Sequence, residues 1–339
     1  MGMEKRMNRN LNSVKISVSI PTYNRLDLLI KCLESVFNQS VPPDEIIVVD
    51  DASSDDTWEY LKKVKGIRAV RNKKNLGMIG NWNESIRQAK NQFVVSLHSD
   101  DAILPDYIKT WKEKISSIKE RNNVGAFISG GYLIDGEDKV IGLVSNFDKD
   151  TLFKPPTTFK KWWKNHFFCV PVTGWSVYNK KILEEIGYFT PKYRIAAENE
   201  MTVKMLPLYP IFYSATPLFC FRRHGLQGFE GKPKMFNMKQ EIENFNDSVK
   251  AYLDYGVDIK KPVTYMLFLS IAHLLFLKLN KARIYLGLFL SYYPKNILSL
   301  ETINYLWDWL KYSIKVELRN RKIRKIYKSF SSMSMSMPS

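Results

Sequence analysis

Three short stretches of this chain set carboxylates, hydroxyls and an aromatic ring directly behind apolar runs, where the strands of an α/β sheet end and ligands bind. The first is Pro21-Thr22-Tyr23-Asn24-Arg25, the second Asp50-Asp51-Ala52-Ser53 running on to Asp55-Asp56, and the third His98-Ser99-Asp100-Asp101. Tyr23 can stack on a nucleobase while Thr22 bonds to it; a strand-to-helix turn capped by Asn24 or Thr22 is the other reading. Asp51 can accept the imide N–H of uracil, whereas Ser53, Ser54 and Asp55 suit helix capping. The pair Asp100-Asp101 calls for a cation, and Mg²⁺ or Mn²⁺ takes carboxylate oxygens and fills its shell with diphosphate oxygens and water. A solvated loop explains any single Asp-Asp equally well.

The elements that must position these stretches are legible in the apolar pattern. Ile16 to Ile20, Ile46 to Val49 and Phe93 to Leu97 read as buried strands. Between them Leu26, Leu29, Ile30, Leu33, Val36 and Phe37 recur at helical spacing, a second helix lies around Trp58, Leu61 and Val64, and a third runs from Gly80 to Ala89. Strands alternating with helices predict βαβ units and a mostly parallel sheet. A helix follows Pro105 to about Lys119, then a strand at Ala126 to Ser129 and a hairpin turning on Asp135-Gly136, a pair suited to left-handed turn geometry.

Composition narrows the class. The 339 residues are 45% hydrophobic and 25% charged, as in globular chains, so wholesale disorder is excluded. A net charge of +17 attracts phosphates, anionic lipid or nucleic acid. Cys32, Cys169 and Cys220 are far apart and odd in number, which argues against a disulfide framework or CxxC metal site and fits a reducing cytosol. Residues 1–14 are polar and basic, expected to be flexible, and do not read as a secretory signal.

In their order and spacing the motifs resemble family 2 glycosyltransferases of the GT-A fold. That family has strands ending in Pro-x-Tyr-Asn, Asp-Asp-x-Ser and Asp-Asp, with Asn-x-Gly before a helix. Here these are Pro21 to Asn24, Asp50 to Ser53, Asp100-Asp101, and Asn75-Leu76-Gly77 with Asn83 on the helix. The resemblance implies an α/β nucleotide-sugar-binding fold with a mostly parallel central sheet and a C-terminal helical extension. It implies that Pro21, Thr22, Tyr23 and Asp51 hold the nucleobase, Arg25 and Asn75 flank the nucleotide, Asp100 faces the ribose and sugar, and Asp101 binds Mn²⁺ or Mg²⁺. His98 is taken as a loop histidine.

Further matches are looser. Ala197-Glu198-Asn199-Glu200-Met201 followed by Lys204 looks like the family segment bearing the catalytic base, with Glu198 on the usual aspartate and Glu200 as rival. Phe221-Arg222-Arg223-His224-Gly225 resembles a basic element near the diphosphate, His224 then being a metal or phosphate ligand and Arg222 and Arg223 diphosphate partners. Thr173-Gly174-Trp175 falls where the family has its acceptor-side strand, and Trp175 either stacks on a sugar or fills core.

The expected domains are a catalytic one over 15–230, with nucleotide-binding (15–110) and acceptor (111–230) halves, a basic helical region over 231–330, and a disordered tail over 331–339. Val263 to Leu277 is shorter than the roughly 20 apolar residues a span requires and reads as buried or interfacial. Lys311 to Lys328 holds eight Lys or Arg and one acid among apolar residues, and such a helix lies well on anionic lipid, each charge contributing about 1 kcal/mol. The function implied is inverting transfer from a nucleotide-diphosphate sugar, UDP-linked by expectation, to a saccharide acceptor, lipid-linked by the same reasoning, in surface polysaccharide assembly. The protein is then cytoplasmic and peripheral at the inner face of the membrane, and the helical end equally suits a homo-oligomer. A sugar-nucleotide pyrophosphorylase needs a glycine-rich loop where Pro21 to Arg25 stands. A non-catalytic binder of membrane or nucleic acid on a transferase-like fold is the alternative.

Overall fold

The computed structural model describes residues 13–144, 147–155, 176–192, 197–223 and 254. The chain divides into two compact units, residues 1–162 with 168–234, and residues 163–167 with 235–339. All described residues except Asp254 belong to the first. The apolar run at 263–277, the basic stretch at 311–328 and the tail lie outside the described residues.

Ten strands are β1 (Ile16–Thr22), β2 (Glu45–Asp50), β3 (Arg68–Arg71), β4 (Phe93–Ser96), β5 (Ala102–Ile103), β6 (Ala126–Ile134), β7 (Val140–Val144), β8 (Thr151–Phe153), β9 (Ser176–Asn179) and β10 (Ile211–Arg222). Among the described residues the α-helices are α1 (Leu26–Phe37), α2 (Thr57–Leu61), α3 (Gly77–Gln88), α4 (Tyr107–Ser117), α5 (Lys180–Ile186) and α6 (Ala197–Met205). The strands form one sheet in the order β3-β2-β1-β4-β9-β6-β10-β5, with β7 paired to β6 and β8 to β10.

The first four strands are all parallel, so β1 to β4 end on one edge. That half meets the expectation of a mostly parallel sheet. Beyond it the sheet is mixed: β9 runs antiparallel to β4 and to β6, and β10 is parallel to β6 but antiparallel to β5 and β8. The reason is connectivity, since helical crossovers join β1 to β4 whereas β6 turns back on itself through a hairpin.

β1 is buried along its whole length, as a central parallel strand covered on both faces must be. α1 buries Leu29, Cys32, Leu33 and Val36 against it, a stripe at three- and four-residue spacing. β3 was not evident in the sequence, because its Arg-Ala-Val-Arg carries charge at both ends. α2 is a short turn rather than a helix reaching Val64.

The hairpin between β6 and β7 forms where expected, but the left-handed residue is Asp138 (φ 66°), not Gly136. Asp135 sets the turn by accepting the N–H groups of Glu137 and Lys139 at 2.9 and 3.0 Å. Further along this pair of strands, a side chain at Gly131 would stand 2.5 Å from the Phe219 ring, so glycine lets β6 and β10 close.

Candidate active site

The loops after β1, β2 and β3 are bonded into one frame. Asn24, at φ 48°, donates its N–H to Ser53 Oγ (3.0 Å) and accepts the Ser54 N–H on Oδ1 (2.8 Å). Asn24 therefore bridges two loops instead of capping α1, whose cap position is Arg25. Asp50 is buried, accepts the Ser53 N–H and meets Arg71 at 3.4 Å, while Asp55 receives the Thr57 N–H (3.1 Å) at the start of α2. Asn81, from the buried side of α3, donates to the carbonyls of Thr22 and Val49, both at 3.2 Å.

Asp51 sits in the middle of this frame, 2% exposed. Its Oδ1 takes Asn72 Nδ2 at 2.7 Å and the Leu76 N–H at 2.8 Å. No described residue bonds Oδ2, which leaves it for a ligand donor. Beside it Thr22 Oγ1 is buried without a partner among the described residues, and Tyr23 stands 43% exposed. Pro21 is buried in β1, whereas Asn75 is exposed and uses Oδ1 on the Gly77 N–H (2.8 Å), holding the turn into α3. The roles of Asn72 and Asn81 were missed from sequence; for Asn81 the available signal was an asparagine on the apolar face of a helix, where it is a poor former and must bond to something, whereas Asn72 lies in the loop after β3 and gave no such signal.

The stretch after β4 is a tight turn in which the Asp101 N–H returns to the His98 carbonyl (3.1 Å), so both side chains point the same way. His98, Asp100 and Asp101 each bring a ligand atom within 4.8 Å of the others. His98 is thus more than a loop histidine: its ring stacks on Trp82, centroids 4.9 Å apart, and Nε2 is buried without a partner among the described residues. Burial lowers its pKa to about 4, against the pull of Asp100, so the ring is neutral at ordinary pH. Its Nδ1, 3.8 Å from Asp101 Oδ2, makes no ion pair in that state.

Asp101 is 1% exposed; Oδ1 accepts the Arg222 N–H (2.9 Å) and Oδ2 has no described partner. Burial, then the charge of Asp100, push its carboxyl well above the usual range. A buried oxygen left unsatisfied beside a second carboxylate fits a divalent cation, which takes oxygen ligands and relieves both penalties.

Two basic candidates have structural work. Arg25 pairs with Asp100 Oδ2 at 2.9 Å. Arg222 is 2% exposed, donates Nε to the Asp100 carbonyl at 2.9 Å and pairs with Asp138 of the hairpin, itself paired with Lys31 (2.9 Å). Arg222, expected to receive a diphosphate, is thus bonded to both residues of the acidic turn. Arg223 is exposed, its N–H on the Ile134 carbonyl.

On α6 the two rival acids separate cleanly. Glu200 is wholly buried, accepts the Thr190 N–H (2.9 Å) and hydroxyl, and pairs with Lys204 at 2.6 Å. Glu198 is half-buried and near enough to Tyr178 that its charge, after burial, raises that phenol's pKa. Thr173, Gly174, Trp175 and His224 lie outside the described residues.

Known proteins resemble this chain at several levels. A GalNAc(5)-diNAcBac-PP-undecaprenol beta-1,3-glucosyltransferase of Campylobacter jejuni is 33% identical over 177 residues, 50% of this chain and 53% of the relative. A poly(ribitol-phosphate) beta-glucosyltransferase of Bacillus spizizenii is 36% identical over 105 residues, 29% of this chain and 17% of the relative. The chain thus spans about half, or less, of the length of these relatives. The crystal structure of S. aureus TarS with UDP-GlcNAc superimposes with TM-score 0.53 at 18% identity, covering 86% of this chain and 78% of the other, a likeness of fold. The family model described as "Glycosyl transferase family 2" matches residues 17–187, just over half of the 339, and the chain belongs to that family.

Proposed function

We propose that the protein is an inverting glycosyltransferase that moves a sugar from a nucleoside diphosphate sugar, UDP-linked, to a hydroxyl of a lipid-linked saccharide in surface glycan assembly. The carrying observation is the meeting of Thr22, Asp51 and the Asp100-Asp101 turn at one sheet edge, with Thr22 Oγ1 and Asp101 Oδ2 buried without a partner among the described residues and Asp51 Oδ1 held by the Leu76 N–H. The relatives support the substrates: one is named for an undecaprenol-linked acceptor, and the fold is shared with a protein crystallised with UDP-GlcNAc.

In this reading Asp51 Oδ2 accepts the imide N–H of uracil and Tyr23 covers the base. Asp101, with Asp100 beside it and His224 beyond the described residues, holds Mn²⁺ or Mg²⁺. When bound, that ion supplies Lewis-acid neutralisation of the departing diphosphate. Glu198 removes the proton of the acceptor hydroxyl; its oxygen bonds to the anomeric carbon from the face opposite the leaving group. The bond from that carbon to the phosphate oxygen breaks with its electron pair on the nucleoside diphosphate. Arg223 steadies the leaving group, and Thr173 to Trp175 face the acceptor. Glu200, closed in by Thr190 and Lys204, is the weaker candidate for the base.

The reading extends to the rest of the chain. Residues 231–330, expected from their sequence to be basic and helical and outside the described residues except Asp254, would dock on anionic lipid or on a second copy and keep the enzyme peripheral at the inner membrane face. Among the described residues no helix is long and apolar enough to cross a membrane. The test is calorimetric titration of the full chain with UDP, dTDP and GDP, with and without Mn²⁺, then of Asp101→Ala. Metal-dependent binding of UDP that the variant loses supports the proposal; binding of none of the three refutes it.

A further inference from the structure

We infer that His98 is a nitrogen ligand of the divalent cation, giving this protein a mixed imidazole and carboxylate site that favours Mn²⁺ and Co²⁺ over Mg²⁺. The inference rests on the proposal of a metal at the acidic turn and concerns what the chain adds to it.

Geometry carries it. The turn closed by the Asp101 N–H on the His98 carbonyl puts both side chains on one side, with Nδ1 and Oδ2 3.8 Å apart. Two ligands about 2.1 Å from a shared ion are at most about 4.2 Å apart, so this pair needs no backbone movement to bind one. The third atom, from Asp100, completes a set within 4.8 Å. Asp101 Oδ2, on a side chain 1% exposed, is unpartnered and faces the imidazole. The imidazole has no hydrogen-bond partner among the described residues, and Trp82 stacked at 22° fixes its plane. A half-buried ring so restrained, with Nδ1 toward an orphaned carboxylate oxygen, is a ligand arrangement awaiting an ion.

The consequence follows from donor chemistry. All-oxygen sites suit Mg²⁺, while an imidazole nitrogen raises affinity along the series from Mn²⁺ to Co²⁺ and beyond. An acidic turn built from carboxylates alone has no such bias.

The experiment is pulsed electron paramagnetic resonance of Mn²⁺ bound to the full chain with UDP, in the native protein and in His98→Asn, His98→Asp and His224→Asn. Expected is a ¹⁴N coupling that survives in His224→Asn and is absent or reduced by one nitrogen in His98→Asn. ¹⁵N-histidine labelling of His224→Asn should convert it to ¹⁵N, a measurement that holds even if the His98 variants do not fold. Alongside, the ratio of Mn²⁺ to Mg²⁺ affinity, read by calorimetry, should fall at least tenfold in His98→Asp, which restores an oxygen donor. Bound Mn²⁺ without a nitrogen coupling in His224→Asn overturns this inference and leaves the metal site standing. No metal-dependent UDP binding in the native chain overturns both.

Discussion

The carboxyl edge of the sheet holds two acidic loops of opposite character. The loop after β2 is closed on itself: Asp50 is bonded to the Ser53 N–H and met by Arg71, and one oxygen of Asp51 is taken by Asn72 and Leu76. The loop after β4 is open, with Asp101 Oδ2 and His98 Nε2 buried but without a partner among the described residues. Under the proposed function the difference separates two tasks. A base is recognised by a rigid frame that exposes one acceptor, whereas a cation is recognised by groups that repel each other until it arrives.

The sharpest way to break this comparison lies outside both loops. Glu198→Gln keeps the frame and the acidic turn, so UDP binding should be unchanged while turnover falls by about 10²–10⁴-fold, as loss of a general base does. Calorimetry and single-turnover sugar transfer read the two parts separately, and a parallel loss of UDP affinity would remove Glu198 from its assigned role. Asp101→Asn is next: transfer should drop by roughly a hundredfold or more, through lost charge stabilisation. In metal-free urea unfolding its midpoint should be equal to or above that of the native chain, because a buried carboxyl repelled by Asp100 is gone.

The closed loop predicts the reverse. Asn81→Ala strips bonds from the Thr22 and Val49 carbonyls and should cost about 1–3 kcal/mol in urea unfolding, without changing metal preference. If Asn81→Ala and Asp101→Asn shift stability in the same direction, the contrast between the loops fails.

The smallest effect belongs to the opposite edge. Burial raises the pKa of Asp44, but bonds from Lys112, Lys15 and the Ile16 N–H outweigh it, and the net shift is downward. A carboxyl lowered in the folded state stabilises above its unfolded pKa, near 3.9, and loses that contribution as pH falls through the folded value. Asp44→Asn should therefore cost about 1 kcal/mol at pH 7. The gap to the native chain should close below about pH 4, as followed by thermal unfolding across pH.

Local pattern was enough for much of this protein. The apolar runs after Lys15, Pro43 and Gln92 and the helical stripe from Leu29 to Val36 determine the parallel half, because burying them requires a sheet covered by helices. The motifs at Pro21, Asp50 and Asp100 were legible as strand-end groups for the same reason. β3 was hidden, since two of its four residues are arginines and its pairing with β2 is non-local.

Only the tertiary structure decided which groups at those ends have partners. That Arg222 lies behind the acidic turn depends on β10 crossing to β6 past Gly131, a contact between residues far apart in sequence. That Glu200 is occupied depends on Thr190 folding over α6. That His98 is more than a loop residue depends on Trp82 arriving from α3. Spacing along a chain orders the chemistry into strand ends, but hydrogen bonds and burial across it set which atoms are left over for a ligand.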